Sequence, residues 1–83
     1  MNIKLYKSAT CPQCKVAKMK LDQKGLSYTE MYVENMDSAL LEKAGVKGIP
    51  TLIVEDETNR MTIKLTTLRD ISKWISIQEA SNG

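Results

Sequence analysis

The sequence contains no histidine and no phenylalanine, and only two cysteines and two prolines occur among its 83 residues. A structural zinc site needs four ligands, usually cysteine or histidine, so one copy of this chain cannot complete such a site. Aromatic residues are limited to one tryptophan and three tyrosines. Because only two arginines accompany them, the combination of aromatic platforms and basic patches that binds nucleic acid is missing. We therefore expect no metal site within one chain and no nucleic-acid partner.

Long apolar runs are absent as well. Residues 1–7 alternate polar and apolar side chains instead of forming the apolar run of a signal peptide, and no window approaches the length of a membrane-spanning helix. We expect a cytoplasmic protein with no membrane partner. With 42% apolar and 27% charged residues, residues 1–83 suit one small globular domain with a frayed tail at 80–83. A domain of this size leaves no room for a separate cofactor domain, so the expected substrate is another protein or a small thiol.

Both cysteines belong to the segment Cys11-Pro12-Gln13-Cys14, at a predicted strand-to-helix junction. Cys11 lies at the expected N-cap, and Pro12 suits the first helical position, where its missing N–H costs no intrahelical hydrogen bond. The free N–H groups and the positive end of the helix dipole there lower a cysteine pKa from about 8.5 to roughly 3.5–7.5. We predict that Cys11 is the nucleophile of a thiol–disulfide exchange and that Cys14 is the resolving thiol.

The sequence leaves other roles open for this cysteine pair. A disulfide that closes so small a loop stabilises a fold little. A dimer that shares its thiolates could hold zinc or an iron–sulfur cluster. In a reducing compartment, however, a cysteine pair beside a strand–helix unit is more often catalytic than structural. The redox interpretation is therefore preferred, and the dimeric metal or cluster protein is the alternative.

Hydrophobic periodicity and turn residues predict the order strand, helix, strand, helix, strand, strand, helix. The predicted strands are 2–7, 27–33, 51–55 and 60–65, and the predicted helices are 12–24, 36–44 and one that follows a Thr67 cap. The side chains expected to be buried on the helices are Cys14, Ala17, Leu21, Met36, Leu40, Leu41, Leu68, Ile71, Trp74 and Ile75. This order predicts an α/β fold of βαβαββα type, with a four-stranded mixed sheet, three helices and the cysteine motif at the carboxyl end of the first strand.

A second motif, Gly45-Val46-Lys47-Gly48-Ile49-Pro50-Thr51, precedes the third strand and is similar to a Val-x-x-Ile-Pro-Thr pattern. With both motifs, the chain resembles the thioredoxin-like superfamily, and within it the small glutaredoxins and NrdH-redoxins, over nearly its full length. The resemblance implies a cis Ile49–Pro50 bond against the dithiol. Because Pro50 lacks an N–H, the backbone of Ile49 would be free to pair with an extended substrate.

The resemblance also implies a function. It implies a thiol–disulfide oxidoreductase, an electron carrier in cell redox homeostasis that reduces protein disulfides, for example in a ribonucleotide reductase. No cofactor is expected besides the redox-active Cys11–Cys14 disulfide, whose electrons would come from thioredoxin reductase or glutathione. We expect a monomer, and an adaptor with a vestigial dithiol is a further alternative. The substrate-binding residues that we expect are Pro12, Gln13, Ile49, Pro50, Thr67 and Leu68.

Two departures from the family pattern bear on the electron donor. Glutaredoxins have a tyrosine where this chain has Gln13, whereas NrdH-redoxins often have glutamine. The Gly-Gly segment that helps glutaredoxins hold glutathione is replaced by Thr66-Thr67, although the N–H groups of Thr67 and Leu68 at a helix N-terminus could still bind a carboxylate. The missing glycines favour thioredoxin reductase over glutathione as the donor, whereas Pro12 is the more glutaredoxin-like feature, so the sequence leaves both donors open.

Overall fold

The computed structural model describes residues 1–78, so the predicted frayed tail at 80–83 lies outside the described residues. In chain order the elements are β1 (Asn2–Lys7), α1 (Pro12–Gln23), β2 (Thr29–Tyr32), a 3-10 helix (Val33–Asn35), α2 (Ser38–Ala44), β3 (Thr51–Asp56), β4 (Met61–Leu65) and α3 (Leu68–Ser76). This is the predicted βαβαββα order with one additional 3-10 turn. The predicted fold class is confirmed.

The four strands form one mixed sheet in the order β2-β1-β3-β4. β1 is parallel to β2 and antiparallel to β3, and β3 is antiparallel to β4. The register pairs Lys7 with Tyr32 and Tyr6 with Thr51, and Leu52 with Leu65. The chain therefore leaves β1, β2 and β4, and enters β3, at the same end of the sheet.

The larger hydrophobic cluster lies between one face of the sheet and helices α1 and α3. Its buried members are Ile3, Leu5, Ala17, Leu21, Leu52, Val54, Ile71, Trp74 and Ile75. The opposite face carries a smaller cluster of Tyr6, Val46 and Ile53, against which Leu41 and Ala44 of α2 pack. Burying one large aliphatic or aromatic side chain stabilises the folded state by about 1.5–3 kcal/mol. The larger cluster therefore supplies most of the apolar stabilisation, and it anchors α1.

The predicted second helix needs two corrections. It begins at Ser38 rather than Met36, because Val33–Asn35 form a 3-10 turn and Asp37 is an N-cap with extended backbone. Leu40 was expected to be buried but is 53% exposed, since a seven-residue helix covers the sheet with only one narrow side. Met61, at the start of the edge strand β4, is likewise 54% exposed.

None of the helices in the described part of the chain combines the length and the apolar character needed to span a lipid bilayer.

Candidate functional site

The two cysteines lie at the N-terminus of α1, at the end of the sheet where the chain leaves β1. They are joined by a disulfide with their Cα atoms 5.2 Å apart. Cys11 is the N-cap, with an extended backbone (φ −86°, ψ 112°), and Pro12 occupies the first turn. The backbone N–H of Cys14 donates to Cys11 Sγ at 3.1 Å. The sequence prediction of a helix that begins at the motif is confirmed.

The two sulfur atoms have unequal access to solvent. Cys11 is partly exposed, whereas Cys14 has no exposed surface and belongs to the buried side of α1 with Ala17 and Leu21. In the reduced protein, a thiolate at the position of Cys11 Sγ would accept the Cys14 N–H and face the positive end of the helix dipole. The geometry therefore suits an accessible nucleophile with a second thiol directly behind it.

The Ile49–Pro50 peptide bond is cis, as the family resemblance implied. Pro50 is fully buried and Ile49 is half-buried. The hydroxyl of Thr51, the first residue of β3, donates to the Gly48 carbonyl at 2.6 Å and so closes this turn. Since Thr51 pairs with Tyr6 on β1, the turn lies at the same end of the sheet as Cys11.

A pocket of about 210 Å³ adjoins this turn. It is mostly apolar, and its lining residues are Val33, Leu41, Val46, Lys47, Gly48 and Ile49. The pocket gives the half-buried Ile49 an apolar neighbourhood that a substrate side chain could share.

The other predicted substrate-binding residues lie at this end too, in different environments. Pro12 and Gln13 are exposed on the first turn of α1. Thr67 caps α3, and its hydroxyl accepts the Asp70 N–H at 3.1 Å. Leu68 is partly buried and packs its side chain against the larger hydrophobic cluster, so its backbone N–H is the group that could bind a carboxylate. The topology groups all six predicted positions at one end of the sheet.

Lys7, the last basic residue before the motif, is engaged by side chains of β2. It is only 5% exposed, with Nζ 3.0 Å from Glu30 Oε1 and 5.1 Å from the ring centroid of Tyr32. Lys18 Nζ lies 3.7 Å from the same Glu30 oxygen. This cluster ties β1, α1 and β2 together, and the cation of Lys7 is engaged there instead of stabilising a thiolate.

Glu34, which no sequence motif indicated, contacts the segment before Cys11. Its Oε2 accepts the Ala9 N–H at 3.1 Å and the Ser8 hydroxyl at 3.3 Å. The bond from Ala9 is the main reason that the pKa of Glu34 lies below its usual range, with the Ser8 hydroxyl and the charge of Lys7 adding to it. The only sequence signal is that both segments directly follow strands predicted to be neighbours.

Within residues 1–78, no three cysteine, aspartate or glutamate side chains are grouped as metal ligands. Because Cys14 is fully buried, each chain presents one accessible sulfur, that of Cys11. Two copies would therefore present two sulfurs to a shared metal or cluster, half of a four-ligand set.

The four-stranded mixed sheet with its helices, and the cysteine pair at the first strand–helix junction, define a thioredoxin-like protein. A family model described as glutaredoxin matches residues 3–58. The chain belongs to the glutaredoxin family.

Solved structures share this fold. NrdH-redoxin from Escherichia coli is 22% identical with a TM-score of 0.73, over 96% of this chain and 99% of that protein. TDR1, a trimeric glutathione transferase of Leishmania, is 26% identical with a TM-score of 0.69, over 89% of this chain. Glutathione transferase Omega 2S from Trametes versicolor is 15% identical with a TM-score of 0.69, over 90% of this chain. The chain spans only 17% and 35% of the two transferases. No curated protein sequence matches it.

Proposed function

We propose that this protein is a dithiol thiol–disulfide oxidoreductase that reduces disulfides of partner proteins. One observation carries the proposal: the partly exposed Cys11 caps α1 and its Sγ accepts the Cys14 N–H at 3.1 Å, while Cys14 lies fully buried behind it. An accessible sulfur at a helix N-terminus is the arrangement that activates a nucleophilic thiolate. A shielded partner one turn away is the arrangement that resolves a mixed disulfide.

The exchange proceeds in two steps. The Cys11 thiolate attacks one sulfur of the substrate disulfide, the substrate S–S bond breaks, and the other substrate sulfur leaves as a thiolate that takes a proton from solvent. Cys14 then loses its proton and attacks Cys11 Sγ, which breaks the mixed disulfide and releases the remaining substrate sulfur as a thiolate that takes a proton from solvent. The substrate gains two electrons and two protons, and Cys11 and Cys14 become the disulfide. Since the chain has no histidine, solvent or a lysine accepts the Cys14 proton.

The substrate would bind at the end of the sheet where the predicted contact residues converge. The half-buried Ile49 and the buried Pro50 would bound its main chain, and the adjoining pocket would take an apolar side chain. The exposed Pro12 and Gln13 would lie beside the scissile disulfide. The N–H groups of Thr67 and Leu68 at the start of α3 would be available to a carboxylate.

The proposal also names thioredoxin reductase as the electron donor. Gln13 in place of tyrosine and the missing Gly-Gly segment support thioredoxin reductase over glutathione. The likeness to NrdH-redoxin, a glutaredoxin-like protein with a thioredoxin-like activity profile, supports the same choice. We infer a monomeric cytoplasmic electron carrier for a reductive enzyme such as a ribonucleotide reductase.

The test is the turnover of a protein disulfide, that of insulin, with each donor system. We expect steady reduction with thioredoxin reductase and NADPH, and much slower reduction with glutathione and glutathione reductase. Cys11→Ser should abolish both activities. Cys14→Ser should retain the attacking thiol and accumulate a mixed disulfide that mass spectrometry detects.

Each part of the proposal can fail separately. Full activity with glutathione alone would contradict the choice of reductase. If the Cys14→Ser protein traps no substrate, the proposed resolving role of Cys14 is wrong. A wild-type protein that is inactive with both donors would contradict the oxidoreductase itself and favour an adaptor or a metal-binding protein.

A further inference from the structure

The segment that delivers Cys11 has a neighbour from another part of the chain. β1 and β2 are parallel, and Lys7 pairs with Tyr32 at their carboxyl ends. The next residues, Ser8 to Thr10 and the 3-10 helix Val33–Asn35, therefore leave the sheet side by side. Glu34 is the residue of this 3-10 helix that faces the segment before the motif.

Both contacts from this glutamate use one oxygen atom. Glu34 Oε2 accepts the Ala9 N–H at 3.1 Å and the Ser8 hydroxyl at 3.3 Å. The Ser8 Oγ in turn accepts the Thr10 N–H at 3.4 Å and lies 3.3 Å from the Thr10 hydroxyl. Three consecutive residues are thus held by one carboxylate, directly or through a single hydroxyl.

These contacts continue to the cysteine. The Ser8 carbonyl accepts the Cys11 N–H at 3.3 Å, so Ser8 to Cys11 form a closed turn. Cys11 is the N-cap of α1, and its Sγ lies 3.1 Å from the Cys14 nitrogen. A cap of this kind needs a fixed extended backbone at the N-cap residue, and the closed turn supplies it.

A nearby cation also acts on Glu34. Lys7 on β1 is the cation whose charge lowers the pKa of Glu34, but its ammonium group is bonded to Glu30. Glu34 is exposed and lies near the start of α1, so its negative charge by itself opposes the formation of a Cys11 thiolate. The position of this carboxylate is explained by the bonds it makes and not by its charge.

We propose that Glu34 is a positioning residue for Cys11: it fixes the segment from Ser8 to Thr10 and thereby keeps Cys11 Sγ at the N-terminus of α1. The inference rests on the proposed function, because it assigns a role in the reactivity of the proposed nucleophile. The carboxylate touches neither sulfur, and it acts through the turn that ends at Cys11.

The experiment compares Glu34→Ala with Glu34→Gln in a Cys14→Ser background, so that iodoacetamide alkylation reports Cys11 alone. Glu34→Ala removes both contacts, and we expect the apparent pKa of Cys11 to rise by about 0.5 and alkylation below that pKa to slow about threefold. Glu34→Gln can place its amide oxygen where Oε2 lies and keep both contacts while it loses the charge. The pKa of Cys11 should then stay unchanged or fall.

A raised pKa of Cys11 in Glu34→Ala without a rise in Glu34→Gln is the signature of positioning. If both variants lower the pKa of Cys11 equally, Glu34 acts only through its charge and the inference is wrong. If neither variant changes it, or if Glu34→Gln raises it as Glu34→Ala does, the inference is equally overturned. Ser8→Ala, which removes only the hydroxyl contact, should give a smaller rise than Glu34→Ala.

Two controls separate this result from general effects. Glu57→Ala changes an exposed glutamate in the β3–β4 turn at the opposite end of the sheet, and it should leave the alkylation profile unchanged. Urea unfolding of each variant reports any global loss of stability. Since alkylation needs neither substrate nor donor, the result stands whether or not the wild-type protein reduces insulin.

Discussion

The carboxylate of Asp22 on α1 accepts a hydrogen bond of 2.8 Å from the Tyr28 hydroxyl and lies 3.4 Å from Lys18 Nζ. The bond from Tyr28 is the main reason that the pKa of Asp22 is lowered from its ordinary value of 3.8, and Lys18 adds to the effect. Tyr28 leads into β2 and also packs against the larger hydrophobic cluster. One exposed carboxylate therefore joins the first helix to the chain that precedes the edge strand.

This contact predicts a pH dependence of stability. The folded state holds the pKa of Asp22 below its unfolded value, so the contribution of Asp22 is present above about pH 4 and is lost as the pH falls through the folded-state pKa. Asp22→Asn should accordingly reduce the fall in unfolding free energy between about pH 5 and pH 2. Urea unfolding at a series of pH values measures how steeply the unfolding free energy falls with pH.

Tyr28→Phe is the matched partner in this experiment because it removes only the hydroxyl that donates to Asp22. Tyr28→Phe should cause most of the same reduction in the pH dependence of the unfolding free energy. Asp22→Asn should then reduce that dependence little further in the Tyr28→Phe background. An equal effect of Asp22→Asn in both backgrounds would show that the Tyr28 hydroxyl is not the cause.

At the scale of elements, the end of α2 depends on one glycine. Gly45 has φ +78°, and the Val46 N–H reaches back to the Leu41 carbonyl at 2.8 Å, the pattern of a Schellman motif. Lys64 of β4 donates from Nζ to the Gly45 carbonyl at 3.2 Å. A Cβ on Gly45 would collide with that same lysine nitrogen. Because that nitrogen ends a flexible side chain, it can move aside at little cost, so the positive φ is what requires glycine.

We expect Gly45→Ala to lower the unfolding free energy by about 1 kcal/mol or more, because alanine is strained at positive φ. Urea unfolding measures the change. Gly48→Ala is the matched control, since a Cβ there meets no atom within 4 Å, and it should change stability by less than about 0.5 kcal/mol. Similar losses in the two variants would contradict the conformational argument.

Elements were predictable where local signals agree. Pro12 and Cys11 mark the start of α1, and Gly45 marks the end of α2, at the positions where the structure has them. The start of α2 was not predictable, because Met36 and Leu40 have helical spacing while the backbone at Asp37 is still extended. Apolar spacing reports which residues would share a face, but not whether a neighbouring element covers that face.

At the scale of the whole molecule, some residues of the candidate site could be predicted from local sequence and others could not. Cys11, Cys14 and Pro50 lie in short motifs, so their positions follow from local sequence. The contact between Glu34 and Ala9 depends on the parallel register of β1 and β2, which no local pattern specifies. The register also decides which groups surround the motif, and this is why Glu34 emerged only from the structure.

The fold as a whole depends on β1, which is hydrogen-bonded on both sides and carries Leu5 into the larger hydrophobic cluster. Leu5 has no exposed surface and Leu40 is 53% exposed, so the chain offers the same leucine-to-alanine change in two environments. Leu5→Ala should lower the unfolding free energy by about 2–5 kcal/mol. Leu40→Ala should change it by less than about 0.5 kcal/mol.

The loss at Leu5 is large relative to the total, because a domain of this size has a stability on the order of 4–12 kcal/mol. Urea unfolding should therefore show a strongly lowered midpoint for Leu5→Ala with an unchanged slope, since the surface exposed on unfolding is nearly the same. A midpoint close to that of Leu40→Ala would contradict the central place of β1. The comparison is informative because both variants lose the same atoms, and burial is the largest difference between the two positions.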